Sequence, residues 1–149
     1  MEINTAFIQH LLDTKTEEST TLDYKRDFKM DKDFIPDITS LANTNGGLLI
    51  YGIDEERIGG KKTGKPGEII GISFEKTLDE LTMQIQQTLY SNTSPSFADL
   101  QIHLVDYYDK KILVIQIPKF YGGTIMSDGR VFKRRLKSKY MVTDANELQ

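Results

Sequence analysis

Cysteine is absent from this 149-residue chain, and histidine occurs only twice, as His10 and His103. The first absence excludes disulfide bonds, thiolate metal sites and a cysteine nucleophile. The two histidines lack metal-ligand spacing, which argues against a zinc site. No apolar run approaches the roughly 20 residues that span a bilayer, and the first residues lack the basic and apolar segments of a signal peptide. We therefore expect a cytoplasmic protein that does not contact a membrane.

The basic residues are concentrated in one segment, although the formal net charge of the whole chain is −3. Residues 1–117 contain 12 basic and 19 acidic residues, whereas residues 118–140 contain seven basic residues and a single acid, Asp128. A basic segment on an acidic domain indicates a surface that faces a polyanion. The charge pattern alone leaves a second interpretation open, which is a solvated strand face.

Apolar periodicity predicts three helices and several strands. The helices are expected over about residues 3–13, 33–44 and 75–90, the second one capped by Asp33. Strands are expected over residues 21–25, 48–53, 100–104, 112–117, 124–126 and 131–135, with hairpin turns at residues 107–110 and 127–129. The glycine-rich, charged residues 54–68 are expected to form a loop. Asp144 predicts the start of one more helix, so we expect one domain over residues 1–149 that is the front part of a longer protein.

The most informative stretch of the chain is Ile38–Asp54. It predicts the end of a helix, a reversal at Gly46-Gly47, and a strand that places Asp54 at its tip. Residues 48–53 are nearly all apolar, as expected for a central strand that is buried on both faces.

A second signal is the triplet Asp23-Tyr-Lys25, because alternate side chains of a strand point to one face. Carboxylates beside a lysine are typical of metal-dependent nucleases, in which the acids hold a hard divalent cation and the lysine stabilises charge on the phosphate. Glu18 and Asp54 are the candidate supporting acids. For each of these residues an ordinary surface charge remains an alternative.

Residues 131–140 are expected to form one basic strand in which Phe132 and Tyr140 are interleaved with cations. Such a strand suits contacts with a phosphate backbone and stacking on bases. Arg134 and Arg135 would point to opposite faces, so only some of the cations can reach one ligand. The candidate nucleic-acid contacts are Arg130, Lys133, Arg134, Arg135, Lys137 and Lys139.

The sequence also contains most of a nucleotide-binding P-loop, Gly59-x-x-x-x-Gly64-Lys65. Pro66 stands where Ser or Thr would hold Mg²⁺, and no helix is expected to follow. We therefore predict a flexible basic loop, without a nucleotide cofactor.

Taken in order, the motifs resemble the Schlafen AlbA_2 family, formerly described as a divergent AAA-type ATPase region. The resemblance covers about residues 18–149. It rests on Glu18, Asp23-Tyr-Lys25, Ala42-Asn-Thr-Asn-Gly-Gly47, Gly52-Ile-Asp54 and Gly129-Arg-Val-Phe-Lys-Arg134. The family pattern for the fourth motif is a strand ending G-[IV]-x-[DE]. Asp23 is a departure, because the family usually has Glu at that position.

The resemblance implies an α+β fold in which about three helices pack on a mixed, mostly antiparallel sheet. It implies nucleic-acid binding, with RNA favoured over DNA, and suggests a role in defence against phage. In the Schlafen branch it also implies an endoribonuclease that acts on tRNA and rRNA with Mg²⁺ or Mn²⁺. The three metal-binding acids of that branch correspond to Glu18, Asp23 and Asp54, and Lys25 would support catalysis.

The leading hypothesis is therefore a nucleic-acid-binding domain that retains a metal-dependent endoribonuclease site. The alternative is a catalytically silent DNA- or RNA-binding module that positions a C-terminal effector domain. The Schlafen core pairs two such lobes, so a chain with one lobe is also expected to form a homodimer.

Overall fold

The computed structural model describes residues 2–143, so the helix start expected at Asp144 lies outside the described residues. The helices are α1 (Thr5–Thr14), α2 (Phe34–Ala42) and α3 (Leu78–Asn92). The strands are β1 (Leu22–Lys25), β2 (Gly47–Tyr51), β3 (Ile53–Ile58), β4 (Lys61–Ile69), β5 (Thr93–Ser94), β6 (Gln101–Tyr107), β7 (Lys110–Ile117), β8 (Met126–Ser127), β9 (Arg130–Arg135) and β10 (Ser138–Met141). This α+β composition confirms the predicted fold class. None of the described helices has the length and apolar character that a membrane crossing requires.

The first sheet has four strands in the order β1-β2-β7-β6. β1 runs parallel to β2, whereas β2 with β7 and β7 with β6 are antiparallel. The sheet is therefore mixed and mostly antiparallel, as expected. The parallel pair matters for the site, because it places Asp23 opposite Leu49 and Lys25 opposite Tyr51.

Helices cover both faces of this sheet. Ile8 and Leu11 of α1 pack with Leu48 and Ile50 on one face. On the other face, α2 and α3 pack against a second cluster that includes Leu49. β2 is consequently buried on both sides, which explains its nearly continuous apolar sequence and confirms the prediction of a central strand.

A second sheet has the order β10-β9-β8-β5 and contains the basic segment. Asp128 and Gly129, which join β8 to β9, have φ values of +51° and +71°, as the predicted Asp-Gly hairpin turn requires. The expected single strand over residues 131–140 is wrong. It is two antiparallel strands, because the chain reverses at Leu136, whose φ is +55°.

The expected loop over residues 54–68 is also wrong, because most of it forms the β3–β4 hairpin. Gly59 and Gly60 make its turn with φ values of +60° and +79°. The pairing has register shifts, and Pro66 lies within β4 opposite Glu55. These irregularities, together with polar side chains on both faces, hid the strand alternation in the sequence.

Candidate functional site

Asp23 and Lys25 extend from the same face of β1, as the strand periodicity predicted. Lys25 Nζ lies 3.5 Å from a carboxylate oxygen of Asp23 and 3.3 Å from one of Asp37, the first-turn acid of α2. Lys139 of β10 contacts the other oxygen of Asp37 at 2.9 Å. The two sheets and α2 thus meet in one alternating row of acids and lysines.

This row lines a cavity of about 390 Å³, which we call the acid–lysine pocket. Its charged lining residues are Glu18, Asp23, Lys25, Asp37, Glu55, Lys62, Lys137 and Lys139. Four of these residues are acids and four are lysines. A phosphodiester carries one negative charge, which the lysine ammonium groups attract. The pocket is therefore suited to an anion held by several ammonium groups beside proton-donating or proton-accepting carboxyls.

Arg134 lies underneath the pocket, with 4% of its surface exposed. Its guanidinium donates to Asp23 at 3.1 Å and to the Ser19 carbonyl at 2.7 Å. The prediction that Arg134 contacts a nucleic-acid backbone does not fit this position, because a buried side chain paired with a carboxylate is not offered to a ligand. Its neighbour Arg135 is exposed and stacks on the Tyr140 ring at 4.4 Å, so the expected opposite orientation of the two arginines is confirmed.

The helix-end motif that follows α2 fixes the position of Arg134. The Asn43 side-chain amide donates to the carbonyls of Ile125 and Phe132 at 2.9 and 3.0 Å and accepts from the Ile125 amide at 2.8 Å. The Thr44 hydroxyl accepts from the main-chain amide of Arg134 at 2.8 Å. Asn43 and Thr44 therefore attach β9 to the end of α2, and the arginine reaches Asp23 from there.

Glu18 closes the opposite side of the pocket. Its carboxylate accepts from the Tyr24 amide on the outer edge of β1 at 2.9 Å, and its own amide donates to the Gly64 carbonyl of β4 at 2.7 Å. Burial, together with a hydrogen bond to Asp23 and the negative charge there, raises the pKa of Glu18 to about 9. Glu18 is accordingly protonated at neutral pH.

The other ionisable groups of the pocket shift in directions set by their partners. Burial alone would raise the pKa of Asp23, but the hydrogen bond with Glu18 and the charges of Lys25 and Arg134 lower it overall. Burial lowers the pKa of Lys25, yet Asp23 and Asp37 outweigh that effect and raise it. An uncharged Glu18 thus lies beside an ionised Asp23, so the pair contains one carboxyl group that can donate a proton and one that can accept it.

Asp54 lies outside the pocket lining. Its carboxylate accepts from the Arg57 guanidinium at 3.0 Å and from its neighbour's amide, and Arg26 lies 3.9 Å away. The next residue, Glu55, lines the pocket instead and accepts from the Gly64 amide at 3.2 Å. The pattern G-[IV]-x-[DE] has its acid at the fourth position, which is Glu55 in Gly52-Ile-Asp-Glu55, so the sequence did contain this signal.

The acids do not form the three-carboxylate site that was expected for Mg²⁺ or Mn²⁺. Among residues 2–143, no group of three or more acidic or histidine side chains is arranged to hold a metal ion. Glu18 and Asp23 are adjacent, but Lys25 and Arg134 already pair with the Asp23 carboxylate. The residues present therefore do not fit the expected metal in this arrangement.

Sequence reasoning missed three charged lining residues of the pocket. Asp37 lies on the buried side of α2 and belongs to none of the motifs, and Lys62 lies in the segment expected to be a loop. Glu55 was passed over for its neighbour Asp54. The remaining candidate contacts, Arg130, Lys137 and Lys139, have side chains that are 61%, 44% and 24% exposed, and Lys133 is half-buried.

The chain is similar to known proteins in sequence and in structure. The family model described as "Schlafen, AlbA_2" matches residues 18–143. No curated protein matches the chain. The structure is similar to the N-terminal domain of a RecG-related protein from Nitrosomonas europaea, whose name relates it to ATP-dependent DNA helicases. That similarity has a TM-score of 0.58 and 19% identity, and it covers 79% of this chain and 74% of the other.

A second similar structure is the DIP2311 protein from Corynebacterium diphtheriae. The TM-score is 0.59 at 18% identity, over 92% of this chain. The match covers 26% of DIP2311, so the chain spans about a quarter of that protein's length. At these identities the two structures establish the shared fold.

Proposed function

Because the chain belongs to the Schlafen AlbA_2 family, we propose that it is a nucleic-acid-binding domain whose acid–lysine pocket receives a backbone phosphate. The observation that carries this proposal is the convergence of Lys25, Lys62, Lys137 and Lys139 on one cavity. Ion pairs with buried acids hold Lys25 and Lys139 in place. Their ammonium groups therefore need not reorient when an anion binds.

The exposed basic residues of β9 and β10 support the same proposal. Arg130 and Arg135 are exposed at the two ends of β9, and the Arg135–Tyr140 stack adds an aromatic ring beside a cation. Contacts of this kind hold a phosphate backbone and do not read its sequence. The resemblance to the Schlafen branch favours RNA over DNA, and the name of the Nitrosomonas protein also points to nucleic acid. Homodimerisation stays a prediction.

The test is a binding titration with a labelled single-stranded RNA of about 12 nucleotides. The pocket variant Lys62→Gln/Lys137→Gln is compared with Lys76→Gln/Lys110→Gln, whose lysines line a different cavity. Both variants lose the same net charge, so a general charge effect would weaken them equally. We expect the pocket variant to bind about tenfold more weakly than the matched control. Equal affinities would overturn the assignment of the pocket.

A second candidate function is cleavage of RNA, and the observation that favours it is that the Glu18 and Asp23 carboxyl groups lie together beside Lys25 in the acid–lysine pocket. Such a pair can donate and accept protons at a phosphodiester held by the lysines. The resemblance to the Schlafen branch implies that such cleavage depends on Mg²⁺ or Mn²⁺, although the acids of the pocket are not arranged to hold a metal ion.

The test of cleavage is incubation with total tRNA in Mg²⁺, Mn²⁺ or EDTA. Glu18→Gln is the site variant and Asp106→Asn, an exposed acid paired with Lys111, is the control. Cleavage by the wild type and by the control, but not by Glu18→Gln, would establish the activity. Intact tRNA with all proteins and metals would exclude it and leave a binding module.

A further inference from the structure

A second cavity of about 1040 Å³ lies away from the acid–lysine pocket. It is formed by the beginning of α2, the end of α3 and the turn between β8 and β9. We call it the Phe132 cavity, and the lining residues that matter here are Asp33, Asn92, Met126, Asp128, Arg130 and Phe132. None of its lining residues lines the acid–lysine pocket.

The lining combines an apolar floor with polar groups at the edge. Phe132 is half-buried and Met126 is 38% exposed, so an apolar surface faces the cavity without being sealed by the protein. Flat unstacked bases bind to such surfaces through their faces. Asp128 lies in the exposed β8–β9 turn, where its carboxylate can only accept hydrogen bonds and the exposed Arg130 guanidinium lies 4.0 Å from one of its oxygens. A base edge that carries an amino group is the matching donor.

A third cavity of about 210 Å³ has lining residues in common with both the Phe132 cavity and the acid–lysine pocket. It shares Lys25 and Asp37 with the pocket, and Asp31 and Asp33 with the Phe132 cavity. Arg130 is exposed at the Phe132 cavity, which places a cation there. The three cavities are therefore neighbours on the surface. Cations line the two outer cavities, and Asp27, Asp31 and Asp33 line the middle one together with Lys25, Arg26 and Lys29.

We propose that the Phe132 cavity binds an unstacked base of a single strand whose backbone crosses the acid–lysine pocket, and that it prefers a base with an exocyclic amino group. A base paired in a duplex cannot enter the cavity, so this site selects single-stranded ligands. The proposal rests on nucleic-acid binding by the domain, as proposed above.

The test compares labelled oligocytidylate and oligouridylate of about 12 nucleotides, which have equal charge but differ in the amino group. Phe132→Leu keeps an apolar side chain but removes the aromatic ring. The main-chain carbonyl that Asn43 holds is retained in this variant. Tyr121→Leu, an 85% exposed aromatic on the loop before β8, is the matched control. We expect Phe132→Leu to weaken oligocytidylate binding about tenfold without changing its salt dependence, and Tyr121→Leu to bind as the wild type does.

Asp128→Asn is a second variant that does not depend on the packing of Phe132. Asn tolerates the positive φ of this turn, so the fold is retained. We expect the wild type to bind oligocytidylate about fivefold more tightly than oligouridylate, and the variant to lose that preference.

The outcomes separate this inference from the proposed function. If the wild type binds both oligomers equally, or if Phe132→Leu binds like the wild type, the base site is overturned while phosphate binding stands. If duplex RNA binds as tightly as the single strand, the base site is likewise overturned. If no oligomer binds the wild type at low salt, the proposed function fails first, and this inference fails with it.

Discussion

The guanidinium of Arg134 lies 3.1 Å from the carboxylate of Asp23, although 111 residues separate them in sequence. The arginine comes from the second sheet and the aspartate from the first, so the pair connects the two sheets beneath the candidate site. Both residues are buried, at 4% and 7% exposure. The central motif of the family, Asn43-Thr44, holds the strand from which the arginine extends.

Removing the arginine would break the buried ion pair and leave Lys25, 3.5 Å away, as the cation beside Asp23. We expect Arg134→Met to lower the free energy of unfolding by about 3–5 kcal/mol. Arg135→Met, one residue away and exposed, is expected to cost about 1 kcal/mol or less through loss of its stack on Tyr140. Urea unfolding of both variants provides the measurement. Equal losses would show that the Arg134–Asp23 pair has no special structural role.

The raised pKa of Glu18 predicts a pH dependence of stability. Its unfolded value is 4.5 and its folded value is about 9, so between these the folded state retains a proton that the unfolded state releases. The stabilising contribution is fully present below pH 4.5 and declines as the pH rises toward 9. Glu18→Gln imitates the protonated carboxyl, and we expect its stability to decline less over that range. Parallel urea-unfolding curves for the two proteins at every pH would contradict the assignment.

Two buried tyrosines provide a matched pair of substitutions. Among the described residues, the Tyr51 hydroxyl has no hydrogen-bond partner, whereas the Tyr24 hydroxyl donates to the Thr16 carbonyl at 2.7 Å. Tyr51→Phe removes an unpaired polar atom, so we expect stability to be unchanged or slightly higher. Tyr24→Phe should cost about 1 kcal/mol. Thermal unfolding distinguishes them, and a larger loss for Tyr51→Phe would mean that its hydroxyl has a partner.

The turn before β2 depends on Gly47. Its φ is +144°, and an added Cβ would lie 2.2 Å from the Thr21 carbonyl oxygen, where β1 and β2 meet. We expect Gly47→Ala to abolish soluble expression or to lower the unfolding free energy by more than about 4 kcal/mol. Gly60→Ala has open space around its Cβ at a φ of +79° and should cost only about 1 kcal/mol. Similar soluble yields and unfolding midpoints would contradict this account of the turn.

The sequence predicted the parts of the fold that follow from periodicity and turn chemistry. The three helices, the doubly buried β2 and the Asp128-Gly129 turn all carry local signals of this kind. The β3–β4 hairpin was missed because its strands are polar on both faces and irregular in register. Asp23 and Lys25 share a face because strands alternate, and this needed only local reasoning.

The rest of the site depends on contacts distant in sequence. Nothing local indicates that Arg134 turns inward to Asp23, or that Asp37 and Lys139 complete the row of charges. The choice between Asp54 and Glu55 is different, because the pattern G-[IV]-x-[DE] already has its acid at Glu55. A list of acids and lysines is thus predictable, whereas their pairing is not.

The most direct measurement of the central claim is the salt dependence of RNA binding. Affinity for a single strand should fall as salt rises from about 50 to 200 mM, with a slope of log affinity against log salt near −0.7 for each phosphate contacted. The account predicts a clearly negative slope for the wild type and one shallower by about 1 for Lys62→Gln/Lys137→Gln, but not for Lys76→Gln/Lys110→Gln. Binding without salt dependence, or the same slope in all three proteins, would contradict phosphate recognition by the acid–lysine pocket.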